Sequence, residues 1–261
     1  MPAAPEKSTR HADYQNTPQP IAAMAVDYPD GFATAPHSHP RAQLLFAMAG
    51  VMKVNTADGT WMVPPSRAVW IPPGKQHWVR AVGTLKVRTA YIEAALAREA
   101  CLPDACCVAE VSPLLRELLI RATAIPNDYD WASADGLIMR LIVSEIRPKP
   151  ALPLSLTLPA DPRARRVCER VMADLCLDLP LDDWGRDAGI SGRTLNRIMT
   201  LETGLSFGRW RQRARLLAAV ESLARGEPVL NVALDLGYDS PSAFTAMFHR
   251  ELGTVPSRYF S

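Results

Sequence analysis

Three histidines and a glutamine stand at spacings that could hold a ligand. His37 and His39 are separated by one residue, Gln43 follows four residues later, and His77 closes the run Pro72-Pro73-Gly74-Lys75-Gln76. Residues i and i+2 on a strand point to one face. His37 and His39 therefore share a face, and His77 can converge on them from a neighbouring strand. Three imidazoles with an oxygen donor suit a metal such as Zn, Fe, Ni or Mn. The same side chains also suit the polar lining of a metal-free pocket for an organic effector, or a purely structural role. The chain has five histidines in all, so three of them in this arrangement exceed chance spacing. Arg41, Gln76 and Trp78 flank the set and are candidates to shape the pocket.

A second constellation lies near the other end. Arg193, Asn196, Arg197 and Thr200 fall at i, i+3, i+4 and i+7, one face of a helix. Arginine reads guanine and asparagine reads adenine in the major groove. Ahead of them, Ala188-Gly189-Ile190-Ser191 ends one helix at a glycine and caps the next with a serine. The same break recurs at Leu236-Gly237-Tyr238-Asp239-Ser240. After it, Ser242, Thr245 and His249 share an exposed face, and Arg250 can reach a phosphate. A helix, a short turn containing Gly and a second helix make a helix-turn-helix. Two copies point to double-stranded DNA.

The elements that must position these residues follow from patterning. Residues 1–20, rich in Ala, Pro, Ser and Thr, read as a disordered tail. From Ile21 to Glu93 the texture is β: strands at Gln43–Met48, Val51–Thr56, Thr60–Val63, Ala68–Ile71, Gln76–Val82 and Leu85–Ile92. A hairpin turn is expected at Ala57-Asp58-Gly59. Short strands at this spacing predict a small barrel or sandwich. Ser112 caps a helix through Leu114, Leu115, Leu118 and Leu119. A second helix, Trp131 to Arg147, carries Leu137, Ile138, Leu141, Ile142 and Ile146 at helical spacing. These two helices either pack on the barrel or form a dimer face. Residues 148–161, with Pro148, Pro150, Pro153 and Pro159, read as a semi-rigid linker.

From Pro162 onward the pattern is all helical. Helices are expected at Pro162–Leu177, with Cys168 inside it, and at Leu181–Ala188, with Leu181, Trp184 and Ala188 inward. Gly185 is a weak spot there, because Gly inside a helix costs about 1 kcal/mol against Ala. A helix from Phe207 to Ala224, about 18 residues and so roughly 27 Å long, is the spacer. With its flanking turns it can hold two recognition helices about one DNA turn, roughly 34 Å, apart. It buries Phe207, Trp210, Ala214 and Leu217 and carries an Arg211–Arg215 row expected at the DNA.

Charge and composition narrow the classes. The 261 residues carry a net charge of only +2. Yet Arg193 to Arg215 holds six arginines against one acid, Glu202. Hydrophobic residues make up 48% of the chain, ample for packed cores. No run approaches the roughly 18 apolar residues of a membrane helix, and no apolar stretch follows Lys7 and Arg10 to make a secretory signal. The five cysteines, Cys101, Cys106, Cys107, Cys168 and Cys176, are odd in number and lack CxxC spacing, which points to reduced thiols in a cytoplasm.

The C-terminal run resembles the AraC/XylS family of bacterial transcription regulators. The resemblance is carried by Ser191-Gly192-Arg193-Thr194-Leu195, Glu202-Thr203-Gly204-Leu205-Ser206-Phe207, Trp210-Arg211, Arg215-Leu216-Leu217, Leu236-Gly237-Tyr238, Ser242-Ala243-Phe244 and Phe248-His249-Arg250. It implies a seven-helix domain, residues 162–261, with two helix-turn-helix units on promoter DNA. Arg193, Asn196 and Arg197 then fall on the first recognition helix, and Ser242, Thr245 and Ala246 on the second. Met199 stands where an aromatic is usual.

Gly31, His37-Ser38-His39, Gln43, Gly50 and Pro72 to His77 resemble the two motifs of cupins, and imply a cupin-like β-barrel with trailing helices over 21–147. Gln43 stands where metal-binding cupins usually have Glu. The whole is thus expected to be a two-domain α+β protein: a barrel that senses a small molecule or metal, and an all-α half that binds DNA. A homodimer and RNA polymerase are the expected protein partners. The alternative is a cupin-type metalloenzyme carrying a DNA-binding appendage. Against it, no acid, base or nucleophile joins the three histidines in a catalytic pattern.

Overall fold

The computed structural model describes residues 7–65, 67–148 and 154–260. The chain divides into two compact units, Met1–Ala57 with Val63–Leu152 and Asp58–Met62 with Pro153–Ser261. Up to residue 148 the elements are a 3-10 turn (His11–Tyr14), β1 (Ile21–Tyr28), β2 (Ala42–Thr56), β3 (Gly59–Val63), β4 (Arg67–Ile71), β5 (Trp78–Ile92), α1 (Ala94–Glu99), β6 (Cys107–Glu110), α2 (Pro113–Ala122), α3 (Ala134–Glu145) and β7 (Arg147–Pro148).

The sheet of the first unit runs β1-β5-β2-β4-β6-β7, every neighbour antiparallel. Two pairs of expected strands are in fact single long strands. Gln43–Met48 and Val51–Thr56 merge in β2, with register irregularities around Ala49, while Gln76–Val82 and Leu85–Ile92 merge in β5. The joints are Gly50 and Gly83, both at positive φ. Glycine there bends a strand without ending it. A Cβ on Gly50 would sit 2.6 Å from the Thr84 carbonyl oxygen, so a side chain at position 50 would collide with the β5 backbone.

Period-two alternation sorts the side chains between two faces. Ala42, Leu44, Phe46, Ala90 and Ile92 face one core, which α2 and α3 cover with Leu115, Leu118, Leu119, Met139, Ile142 and Ile146. Gln43, Leu45 and Tyr91 face the other way, into a cavity. Trp70 lies fully in the helix-covered core, and its Nε1 donates to the Pro103 carbonyl at 2.8 Å. The α2 cap is as expected, Ser112 Oγ accepting from Leu115 N. The apolar positions of α3 divide between two faces. Leu137 and Leu141 are exposed together with Leu114 of α2, while Met139 and Val143 take the buried positions.

The expected disordered tail needs correction. Residues 1–6 lie outside the described residues, but Lys7 to Pro20 packs on the sheet. Tyr14 is 1% exposed, its hydroxyl donates to Ser8 O at 2.5 Å, and its ring stacks on Tyr91. Arg41 fastens the rest, donating to the carbonyls of Gln15, Thr17 and Gln19. A polar segment without periodicity is ordered here by hydrogen bonds from one buried arginine, a signal that sits far away in the sequence.

Of the expected linker, residues 149–153 lie outside the described residues. Within the second unit the described part forms β8 (Ser155–Thr157), antiparallel to β3, and leads into α4 (Pro162–Ala173), α5 (Leu181–Arg186), α6 (Gly192–Thr203), α7 (Phe207–Ala224), α8 (Val229–Asp235), α9 (Pro241–Leu252) and a 3-10 turn, Pro256–Arg258. Among the described residues this unit has six α-helices and a closing turn in place of the seven helices implied. Ser191, Ser206 and Ser240 cap α6, α7 and α9, accepting from Thr194, Arg209 and Ala243 N. Gly204 and Gly253 end α6 and α9 in the left-handed conformation, as C-terminal glycines do. The α4 helix stops at Ala173, short of the expected Leu177, because Asp174 turns extended and its Oδ1 accepts from Cys176 N and Leu177 N instead. Its core holds Cys168, Trp184, Leu195, Met199, Phe207, Trp210, Leu217, Phe244 and Phe248. Leu181, expected inward, is exposed.

Candidate functional site

The histidine cluster is assembled by backbone pairing. His37 and His77 form an antiparallel bridge, His37 N donating to His77 O at 3.0 Å and His77 N to His37 O at 2.9 Å. Directly paired residues put their side chains on the same face. His39 is docked by Gly74 N, which donates to its carbonyl at 2.9 Å. Ring centroids lie 4.4 Å apart for His37 and His77, 5.1 Å for His39 and His77, and 6.0 Å for His37 and His39. One ring nitrogen from each lies within 4.8 Å of the others.

All three rings are tied in the same way. His37 Nδ1 lies 2.9 Å from Ala35 O, His39 Nδ1 2.6 Å from Arg41 O, and His77 Nδ1 2.8 Å from Lys75 O. A carbonyl oxygen only accepts, so each Nδ1 carries the hydrogen, and in the neutral ring each Nε2 is a bare lone pair. Burial lowers the pKa of His39 and lowers that of His77 to about 4. Both rings are therefore neutral at ordinary pH.

Gln43 meets this lone pair with another. Thr89 Oγ1 donates to the Leu44 carbonyl at 3.0 Å, so toward Gln43 it can only accept. Gln43 Nε2 donates to Thr89 Oγ1 at 3.1 Å and to the Tyr91 hydroxyl at 3.2 Å. The amide oxygen is thereby aimed at His39 Nε2, 3.1 Å away. Two buried acceptors facing each other call for a cation or a proton between them. Burial disfavours the proton. His77 Nε2 makes the same demand, being buried without a hydrogen-bond partner. The donor set thus fits a divalent ion with imidazole preference.

His37, His77 and Gln43 line a cavity of about 520 Å³. The remaining wall is mostly apolar, with Met24, Leu45, Met52 and Val87 and the stacked pair Tyr28–Phe32, whose rings are 4.3 Å apart. Arg41, expected to shape the pocket, lies behind it and does so through its carbonyl bond to His39. The sequence reading missed Thr89 and Tyr91, whose roles are visible only once β5 pairs with β2. It also missed His11, which the 3-10 turn lays against His37 at 4.3 Å between ring centroids. The only clue to His11 was its rarity in a chain with five histidines.

In the helical unit the structure separates arginines that the sequence grouped. Arg193 and Arg197 are exposed on α6 and make no hydrogen bond or ion pair among the described residues. Thr200 is exposed beside them. Asn196 is only half-buried, and its Oδ1 accepts from Phe207 N at 2.9 Å. That takes the acceptor which a two-bond contact to adenine requires. Arg211 and Arg215, expected at the DNA, are instead used inside the unit. Arg211 donates to Leu177 O at 2.8 Å and Asp178 Oδ1 at 3.0 Å, with its guanidinium over Trp184. Arg215 donates to Leu175 O at 2.9 Å and lies over Tyr238. Near the other end, Ser242, Thr245, Ala246 and His249 line one surface groove of α9. Arg250 is exposed beside it and pairs loosely with Glu251 at 3.4 Å.

Comparison with known proteins agrees with both halves. Residues 21–142 match the AraC-like ligand binding domain, and residues 184–261 match a helix-turn-helix domain. The HTH-type transcriptional regulator NimR of Escherichia coli (strain K12) is 33% identical over 235 residues, 89% of this chain and 84% of that protein. The regulatory protein SoxS of Salmonella typhimurium is 38% identical over 86 residues, 32% of this chain and 80% of that protein. Among solved structures, ToxT from Vibrio cholerae aligns over 93% of this chain and 98% of that one at 10% identity, with a TM-score of 0.40. No helix among the described residues is long and apolar enough to cross a membrane. With a ligand-binding domain and a DNA-binding helix-turn-helix domain in that order, and a regulator as a relative along most of its length, the chain belongs to the AraC family of transcriptional regulators.

Proposed function

We propose that this regulator responds to a divalent metal ion held by His37, His39 and His77 with Gln43 as the oxygen donor, and that the occupied pocket alters binding to promoter DNA. The observation that carries the metal reading is the buried pair of acceptors, His39 Nε2 and Gln43 Oε1, at 3.1 Å. Zn, Ni and Fe suit the imidazoles best. A second reading rests on the cavity itself. Some 520 Å³ with an apolar wall is far more space than an ion needs, and it suits a small organic effector lying beside or in place of the metal.

On the DNA side, Arg193 and Arg197 contact base edges, with Thr200 and the Asn196 amide nitrogen beside them. Ser242, Thr245, His249 and Arg250 form the second contact, weighted toward phosphate. Arg211 and Arg215 support the two heads instead of touching DNA. The protein acts in the cytoplasm, as a homodimer that engages RNA polymerase, and without turnover of a substrate. Coupling requires that the ion bind the DNA-competent and DNA-incompetent states with different free energies.

The test is metal analysis of untagged protein, followed by promoter gel shifts with added Zn or Ni and with a chelator. Bound metal near one equivalent, and DNA affinity that changes with it in wild type but not in His39→Ala, is the expected result. Metal-free protein whose DNA affinity ignores added ions would overturn the metal reading and leave the organic effector.

A further inference from the structure

The turns of the two helix-turn-helix motifs carry a glycine in the same conformation but in different surroundings. Gly189, between α5 and α6, has φ +70°, and a Cβ on it would meet nothing within 4 Å. Gly237, between α8 and α9, has φ +74°, and its Cβ would lie 3.1 Å from both Cα and O of Cys176 and 3.4 Å from Arg215 Nη2. The turn of the second motif is thus a seat for residues 174–178, the stretch that leads into the first.

That stretch is held on several sides. The Cys176 thiol donates to the Asp235 carbonyl at the end of α8. From α7, Arg215 Nε donates to Leu175 O at 2.9 Å, and Arg211 Nη2 donates to Leu177 O at 2.8 Å and Asp178 Oδ1 at 3.0 Å. Asp174 Oδ1 ties the loop to itself, accepting from Cys176 N and Leu177 N. Each arginine also leads to one recognition helix. Arg215 lies over Tyr238, whose ring meets Phe244 of α9 edge-on at 5.5 Å between centroids. Arg211 lies over Trp184 of α5, and Asp182 of α5 accepts from Gly192 N at the start of α6 at 2.9 Å.

The α7 helix by itself would join the two heads by one connection, about which they could swing. Residues 174–178 add a second, and two connections close a triangle. Backbone packed on backbone leaves it little room to deform. We propose that residues 174–178, seated on Gly237 and clamped by Arg211 and Arg215, fix the angle between α6 and α9, so that the spacing between the two DNA segments they read becomes a determinant of specificity. This rests on the reading above that Arg211 and Arg215 support the two heads, and extends it.

The probe is a duplex selected by the full-length protein from a random library, with its contacted segments mapped by footprinting. It is rebuilt with one base pair added or removed between them. Each step moves the second segment by about 3.4 Å and turns it by roughly 34° around the duplex axis. Wild type should lose roughly tenfold or more at either altered spacing, because braced heads cannot engage both segments at once. Gly237→Ala pushes the loop off its seat, and Arg215→Gln unclamps it. Both should bind the selected spacing more weakly and vary only a few-fold, roughly, across the series. Gly189→Ala imposes the same left-handed strain without the collision and should keep the wild-type profile. A ratio of affinities does not depend on the folded fraction, so a merely unstable variant also keeps that profile. A footprint of one segment, a wild type indifferent to spacing, or a wild-type profile in both Gly237→Ala and Arg215→Gln would overturn the proposal and leave the supporting role of the arginines standing. An Arg215→Gln protein that melts like wild type and loses the same factor on selected and random DNA would make Arg215 a phosphate contact, and the reading beneath the proposal would fall with it.

Discussion

Arg193 and Arg211 are the same residue type on adjacent helices, yet the structure gives them different work. Arg193 is exposed and unpaired among the described residues, whereas the Arg211 side chain is 14% exposed with two acceptors and an aromatic face. Arg193→Ala should leave the melting temperature unchanged and cost about 1–3 kcal/mol on the specific site if it reads a base. Equal losses on specific and random DNA would make it a phosphate contact. Arg211→Ala should instead lower the melting temperature, since its carbonyl and carboxylate partners lose a charged donor worth about 1.5–3 kcal/mol. An Arg211→Ala protein that melts like wild type but fails on DNA would reverse the assignment. The arginine row was legible in the sequence, but its use was not, because Trp184 reaches α7 from α5 and Tyr238 from the turn between α8 and α9. The histidines were legible as a motif, but not for the reason of strand periodicity: they lie outside the regular strands and are brought together by the isolated His37–His77 pairing and by Gly74 N donating to His39 O. Their neutrality also predicts a pH dependence. His77 has a pKa of about 4 folded against 6.5 ordinarily, so the folded state binds fewer protons. Its stability contribution is complete above pH 6.5, declines as the pH falls toward 4, and is on the order of 3 kcal/mol in all. Chemical denaturation of the metal-free protein between pH 8 and 4.5 should show this decline, and His77→Gln should flatten it. An unchanged slope in that variant would assign the acid sensitivity elsewhere.

Among the elements, α5 shows where propensity misleads. Gly185 reads as a weakness in a short helix, with Ala favoured by about 1 kcal/mol. In the fold a Cβ at this position would lie 2.3 Å from the Ile190 carbonyl oxygen. The turn between α5 and α6 is closed by that approach, with Ile190 N and Ala188 N both donating to Gly185 O. A backbone atom cannot rotate out of the way as a side chain would. Overpacking costs typically 1–3 kcal/mol, which exceeds the propensity gain. Gly185→Ala should therefore destabilise the helical unit by about 1–2 kcal/mol, a fall of roughly 5 °C or more in its melting temperature. A more stable variant would show that the turn has room to open. The helix boundaries themselves were readable, since Ser191, Ser206, Ser240, Gly204 and Gly253 signal them locally. Less readable were β1, whose alanines carry little strand preference and which is held by its eight-residue pairing with β5, and the continuity of β2 and β5 through Gly50 and Gly83.

At the scale of the whole molecule, a net charge of +2 supplies little general attraction to DNA, which places the weight on a few exposed arginines, and the proposed homodimer would present two sets of them. For the proposed dimer, α2 and α3 carry a candidate face. Leu114, Leu137 and Leu141 are 52%, 51% and 39% exposed. Leu137 and Leu141 lie one turn apart on α3 and are surrounded by the residues that do reach the core, Met139, Ile142 and Val143. Such an apolar row on a packed helix pair is ordinarily kept from water by a partner. Leu137 and Leu141 are not members of the packed core, so folding should survive replacing both with Glu. Light scattering at micromolar concentration should then show wild type at about twice the 28.6 kDa chain mass and the double variant at the chain mass, with DNA affinity reduced because the second copy must be recruited separately. A monomeric wild type, or a double variant that stays dimeric, would move the interface off these helices and leave the exposed leucines without that role.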